Sequence, residues 1–110
     1  NKAEFLFNDK VAYTTVYKKD LEKYQAKDDF TEGLVETLRA IDSTEIAFIA
    51  KEIDSKSTKS SMRSKTVDVA GICAEYGGGG HTFAAGCLIK TSIDKALKKL
   101  LKTIEEHLNG

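Results

Sequence analysis

The residues best placed to do chemistry are Gly77-Gly78-Gly79-Gly80-His81, followed closely by Ala84-Ala85-Gly86. One glycine after a helix is the ordinary left-handed cap, and that accounts for Gly77. The three that follow each cost roughly 0.5–1 kcal/mol against alanine in chain entropy, in a domain whose net stability is about 5–15 kcal/mol. The usual compensation is a backbone that must approach a ligand and offer its N–H groups to an anion such as phosphate. The competing explanation is a flexible surface loop. Small residues at 84–86 continue the clearance, which favours the ligand. A lone histidine is more often structural than functional, but His81 ends this loop. There it can donate a hydrogen bond to a phosphoryl oxygen or carry positive charge beside a bound anion.

A second candidate is the segment Ser60-Ser61-Met62-Arg63-Ser64-Lys65. Period-two alternation puts Ser61, Arg63 and Lys65 on one face and Ser60, Met62 and Ser64 on the other. Between Lys56 and Lys65 there are four cations and no acid. A hydroxyl, a guanidinium and an ammonium in a row suit a phosphodiester, with Arg63 able to grip two oxygens as a fork. A charged, exposed edge strand would look the same. No HxD, DHH or HExxH arrangement is present, so nothing in the chain offers the metal cluster or activated nucleophile that phosphoryl hydrolysis usually needs. His107, near the end of the last helix, reads as packing or dipole complementation. The chain looks like half of an active site.

The elements that must position these residues alternate between strand and helix. Glu4–Phe7 and Val11–Tyr17 are β-prone runs joined by Asn8-Asp9-Lys10, which predicts a hairpin. Lys19–Tyr24 predicts a short polar helix. From Thr31, residues Leu34, Val35, Leu38 and Ile41 recur at helical spacing, with Asp28 and Asp29 at the positive end of the dipole. Ile46–Ala50 is a continuous apolar run inside a strand over 45–53, which suggests a central strand covered on both faces. A polar loop over 54–59 and a strand over 60–64 follow. Asp68 can cap a helix carrying Val69, Ile72, Cys73 and Tyr76 on one face. The glycines read as loop, a strand runs from about Ala85 to Lys90, and Thr91 or Ser92 caps a final helix. That helix turns Ile93, Ala96, Leu97, Leu100, Leu101, Ile104 and Leu108 inward. The fold class expected is α/β, with a mixed sheet of about five strands and helices on both faces.

With 110 residues the chain makes one domain, and 41% hydrophobic with 31% charged residues is neither a disordered tail nor a membrane protein. Lys plus Arg and Asp plus Glu are both 17, so net charge does not announce a nucleic-acid binder. The halves differ, however: residues 1–55 sum to −4 and residues 56–110 to +4. Cys73 and Cys87 form no CxxC pair, which argues for free thiols in a reducing compartment and against structural zinc. The chain starts at Asn1 rather than Met and is expected to be the C-terminal part of a longer protein.

The segment Gly77–Gly86 resembles the GGGHxxAAG motif of the DHH-associated domain, the C-terminal substrate-binding domain of DHH phosphoesterases. Thr31-Glu32-Gly33, Ser61-Met62-Arg63-Ser64 and Val67-Asp68-Val69 are similar to the branch of oligoribonucleases and phosphoadenosine-phosphate phosphatases. The resemblance implies a cytoplasmic two-domain enzyme whose N-terminal DHH domain binds two manganese ions and activates a water. The associated domain, residues 1–110 here, grips substrate across the cleft. It further implies that Arg63 and His81 bind phosphates, that Gly78, Gly79 and Gly80 let the chain come close, and that Ser61 and Ser64 assist. Glu32 and Lys65 are secondary candidates. No metal ligand and no bound cofactor is expected in these 110 residues. The expected substrate is a short single-stranded RNA or a nucleotide such as 3′-phosphoadenosine 5′-phosphate, and the expected partners are the DHH domain and a second copy of the full-length protein. Two alternatives are a cyclic dinucleotide phosphodiesterase and a non-catalytic nucleic-acid-binding module of the kind appended to alanyl-tRNA synthetase.

Overall fold

The structure is a computed structural model and describes residues 3–20 and 29–109. Six strands form one open sheet: β1 (Glu4–Leu6), β2 (Val11–Val16), β3 (Ile46–Asp54), β4 (Ser57–Ser64), β5 (Gly79–His81) and β6 (Ala84–Ile89). Their spatial order is β1-β2-β3-β4-β6-β5. Only β2 and β3 are parallel, and the other four pairings are antiparallel. The described helices are α1 (Asp29–Arg39), α2 (Val69–Ala74) and α3 (Ile93–Asn109). Lys18–Asp20 begins a helical turn, and the remainder of the helix expected over Lys19–Tyr24 lies outside the described residues.

Helices cover both faces, as the apolar run of β3 demands. Strand alternation sends Ile46, Phe48 and Ala50 to one face, where they meet Val69, Ile72 and Cys73 of α2 and Ile93, Ala96, Leu100 and Ile104 of α3. Phe48 stacks on Tyr13 of β2 with ring centroids 5.0 Å apart. The opposite face sends Ala47 and Ile49 against Val35 and Leu38 of α1, together with Ala12 and Val16. Helix α1 lies over β2, β3 and the near side of β4, so among the described residues no helix covers the β4-β6-β5 side of that face of the sheet. Of the candidate residues, Ser61, Arg63, Gly79 and His81 sit on that part.

Two strand boundaries depart from sequence expectation. The loop expected over 54–59 shrinks to Ser55 and Lys56, because β4 already begins at Ser57. Its first two inward positions are Thr58 and Ser60, both fully buried, so polar residues occupy places where a hydropathy pattern looks for apolar ones. The sixth strand is the glycine segment itself, Gly79–His81, which pairs with Ala84–Gly86. Glycine is depleted in strands, so local propensity reads this segment as loop.

Helix α2 delivers the chain to this edge strand. Asp68 caps it, its carboxylate accepting from the Gly71 N–H at 3.1 Å. The far end is held twice. Tyr76 donates its hydroxyl to the Lys99 carbonyl at 3.0 Å and lies 2.6 Å from the Thr103 hydroxyl, while His107 Nε2 lies 2.7 Å from the Glu75 carboxylate. His107 therefore joins the ends of α2 and α3. Replacing the cap, Asp68→Ala, is expected to cost about 1 kcal/mol in urea unfolding, with binding at the cleft weakened less than stability.

Candidate functional site

Gly77 reverses the chain after α2 with φ +78°, a left-handed conformation open to glycine. From there β5 runs very close to β6. A Cβ on Gly78 would lie 2.3 Å from the Gly86 carbonyl oxygen and 2.6 Å from Cys87 Cβ, and one on Gly80 would lie 2.7 Å from the Ala84 carbonyl oxygen. Both positions need glycine for the fold itself. At Gly79 a Cβ would meet nothing within 4 Å, and this residue lines an open cleft. The clearance that the sequence assigns to all of Gly78, Gly79 and Gly80 for a ligand thus has an internal cause at the first and third.

The cleft has a volume of about 360 Å³ and is lined by Lys59, Ser61 and Arg63 from β4, by Gly79, Gly80 and His81 from β5, and by Ala84–Gly86 from β6. Glu32 of α1 closes one side. Strand register brings Arg63 opposite Ala84, and Ala84 opposite His81. The turn that carries His81 into β6 is pinned from outside the hairpin. Val69 N–H donates to the Thr82 carbonyl at 2.8 Å and Ser64 N–H to the Phe83 carbonyl at 3.0 Å.

Arg63 does not stand alone. Its Nη2 donates to the Glu32 carboxylate, its Nε lies 3.4 Å from Glu36, and its Nη1 donates to the Met62 carbonyl at 2.8 Å. A guanidinium has five N–H groups, so two remain for an incoming oxyanion. The hydrogen bond and charge of Arg39, with the charge of Arg63 added, hold the Glu36 carboxyl below its ordinary value despite some opposing desolvation. Glu32 and Glu36 are one helical turn apart and so grip the same guanidinium.

The other sequence candidates are placed apart from this cleft. Ser64 points to the opposite face, buried, with its hydroxyl on the Val67 carbonyl. Lys65 reaches the carbonyls of Ile41 (2.8 Å) and Asp42 (3.3 Å), just beyond the C-terminal end of α1. Both are engaged in holding the fold. Sequence reasoning missed Glu36 and Lys59. The i, i+4 spacing from Glu32 was the signal for the first, and period two extended back from Ser61 was the signal for the second. Cys73 and Cys87 are free and buried, and their mutual hydrogen bond and burial push the Cys73 thiol up. Among the described residues no three His, Cys, Asp or Glu side chains gather to hold a metal ion, and no helix is long and apolar enough to cross a membrane.

The open α/β sheet thus presents a guanidinium, a hydroxyl and an imidazole around a glycine edge. The chain is a member of the DHHA1 domain family, which it matches over residues 8–110. Its fold is similar to that of an exopolyphosphatase-related protein from Bacteroides fragilis, with a TM-score of 0.84 and 23% identity, covering 94% of this chain and 31% of that one. It is also similar to the C-Ala domain of alanyl-tRNA synthetase from Aquifex aeolicus (TM-score 0.72, 17% identity, 100% of both chains). A pGpG-specific phosphodiesterase from Vibrio cholerae shares the fold as well (TM-score 0.59, 14% identity, 96% of this chain and 36% of that one). This chain therefore spans about a third of the length of the first and third of these proteins.

Two outcomes are expected from the geometry. Gly78→Ala should lose ~3 kcal/mol in chemical unfolding because of overpacking, whereas Gly79→Ala should gain about 0.4–1 kcal/mol from a stiffer unfolded chain while weakening nucleotide binding. Glu32→Gln removes a competitor for Arg63 and should raise affinity for inorganic phosphate about two- to fivefold at low salt, as for an exposed ion pair. A phosphate titration followed by amide chemical shifts measures it.

Proposed function

We propose that residues 1–110 are the substrate-gripping domain of a DHH-type phosphodiesterase that trims short oligoribonucleotides and also accepts 3′-phosphoadenosine 5′-phosphate. The observation that carries this is the crosswise row Arg63-Ala84-His81, two phosphate-binding side chains separated by a methyl group on an open sheet face. Arg63 offers its two remaining N–H groups to phosphate oxygens and His81 donates to a third oxygen. Gly79 leaves room for the sugar-phosphate chain, and Ser61 supplies a hydroxyl beside it. The described residues do not fit a two-metal site. In this proposal both manganese ions belong to a DHH domain of the same protein, and the full-length protein works as a cytoplasmic homodimer. Buried free thiols at Cys73 and Cys87 agree with a reducing compartment.

Family membership and the phosphoesterase names among proteins of like fold support this reading. One of those names specifies a dinucleotide, pGpG. Full-fold coverage of the C-Ala domain favours a second reading, a nucleic-acid-binding module without catalysis. The two are separated by incubating the full-length protein with Mn²⁺ and di- to pentaribonucleotides or the adenosine bisphosphate. Cleavage is expected, and intact substrates would remove the first reading.

Within the 110-residue chain, binding without turnover is expected. Arg63→Ala and His81→Ala should each weaken nucleotide binding about 10- to 100-fold, the range for a lost charge-assisted hydrogen bond. His81 is exposed, so its variant should barely move the unfolding midpoint, whereas Arg63→Ala, which unpairs Glu32 and Glu36, should lower it while leaving the chain folded. Calorimetry with parent and variants measures both effects, and equal affinities would sink the site.

A further inference from the structure

The sheet face that carries Arg63 and His81 continues past them, and register orders it into three crosswise rows. The first is Arg63-Ala84-His81 and the second is Ser61-Gly86-Gly79. The third is Lys59 opposite Leu88. Residues two apart on a strand are separated by about 6.6–6.8 Å, so the first and third rows lie about 13 Å apart. Nothing larger than a hydroxymethyl projects from the middle row. It forms a low saddle between two raised ends.

The two ends differ in charge. Arg63 is held by Glu32 and Glu36. Lys59 is exposed, lines the cleft, and has Lys51 on β3 and Leu88 on β6 as its cross-strand neighbours, so no acid faces it across either strand. Leu88 is 47% exposed on this face, while its strand neighbours Cys87 and Ile89 are buried on the other. A cation with no acid directly across either neighbouring strand, beside an apolar side chain, suits a ligand that presents an anion and an aromatic or sugar face together. A nucleotide unit does so. The backbone rows that carry Arg63 and Lys59 are about 13 Å apart, which leaves room for more than one phosphate between them.

We infer that Lys59 and Leu88 form a second nucleotide subsite, Lys59 holding a phosphate and Leu88 packing against the face of a base, so that a ligand longer than one nucleotide gains affinity over a mononucleotide. This rests on the proposal that the Arg63–His81 end binds a phosphate. Inorganic polyphosphate would use the cations but gain nothing from Leu88. A mononucleotide would fill one end only.

The test is calorimetric titration of the chain with adenosine 5′-monophosphate and with the diribonucleotide pApA. The parent is compared with Lys59→Met, Leu88→Asn and Arg63→Ala, with the amide spectrum checking the fold of each. Lys59→Met is expected to weaken pApA about fivefold or more and to lower its salt dependence by about one phosphate contact, leaving the monophosphate within about twofold. Leu88→Asn should weaken pApA about threefold with no change in salt dependence. Equal effects of Lys59→Met on both ligands, or none on pApA, would overturn the second subsite while leaving the first intact. Unchanged monophosphate affinity in Arg63→Ala would instead overturn the phosphate site itself, and a parent chain that binds neither ligand overturns both.

Discussion

Absence of a Cβ at Gly78 and Gly80 is the constraint on which the site depends. With carbonyl oxygens only 2.3 and 2.7 Å from where those atoms would stand, β5 can lie against β6 only if both residues are glycine. That contact sets the register, the register puts His81 across from Ala84, and Ala84 stands across from Arg63. The rest of the local structure secures the same contact. Asp68 starts α2, Gly77 turns the chain at φ +78°, and Tyr76 ties the turn to α3. A strand with almost no side chains contributes little packing of its own, so its position must be held by its neighbours.

Electrostatics divides the cleft into an ordered end and an open end. Arg63 is 16% exposed and fixed by two carboxylates and a backbone carbonyl, so much of its rotamer freedom is already lost before any ligand arrives. Preorganisation of this kind lowers the entropic cost of binding, and the glutamates offset part of the charge that would attract an anion. Lys59 lacks such an acid across either neighbouring strand. A chain with no net charge can therefore still offer a positive surface, because its acids and bases are sorted by position.

Much of the fold was legible in the residue order. The apolar run Ile46–Ala50, the helical spacing of Leu34, Val35 and Leu38, and the long amphipathic helix from Ile93 all formed where periodicity placed them, since each buries a face large enough to dominate local preference. The site was legible in part. Ser61, Arg63 and His81 share the cleft, and Glu32 joins them through Arg63 rather than as a free carboxylate. Ser64 and Lys65 fell elsewhere for two different reasons. Alternation turned Ser64 to the buried face, and at the end of β4 Lys65 found unsatisfied carbonyls past the end of α1. Lys59 was missed because β4 begins three residues before the strand expected from Ser60, and Glu36 because it joins the site through Arg63 on another element.

By itself the sequence determined the elements and the short-range chemistry: a glycine run ending in histidine, a strand alternating hydroxyl and cation, and apolar periods that specify α/β layers. Local sterics and periodicity suffice for these, because they act between residues a few positions apart. Only the tertiary structure decided that Gly79–His81 is an edge strand, that Gly78 and Gly80 serve close packing and Gly79 the cleft, and that Glu32 and Glu36 hold Arg63. Those outcomes depend on the register between β4, β6 and β5 and on where α1 lies. They include contacts as distant in sequence as Arg63 with Ala84 and Glu32 with Arg63, 21 and 31 positions apart, whose approach is set by the packing of the whole sheet.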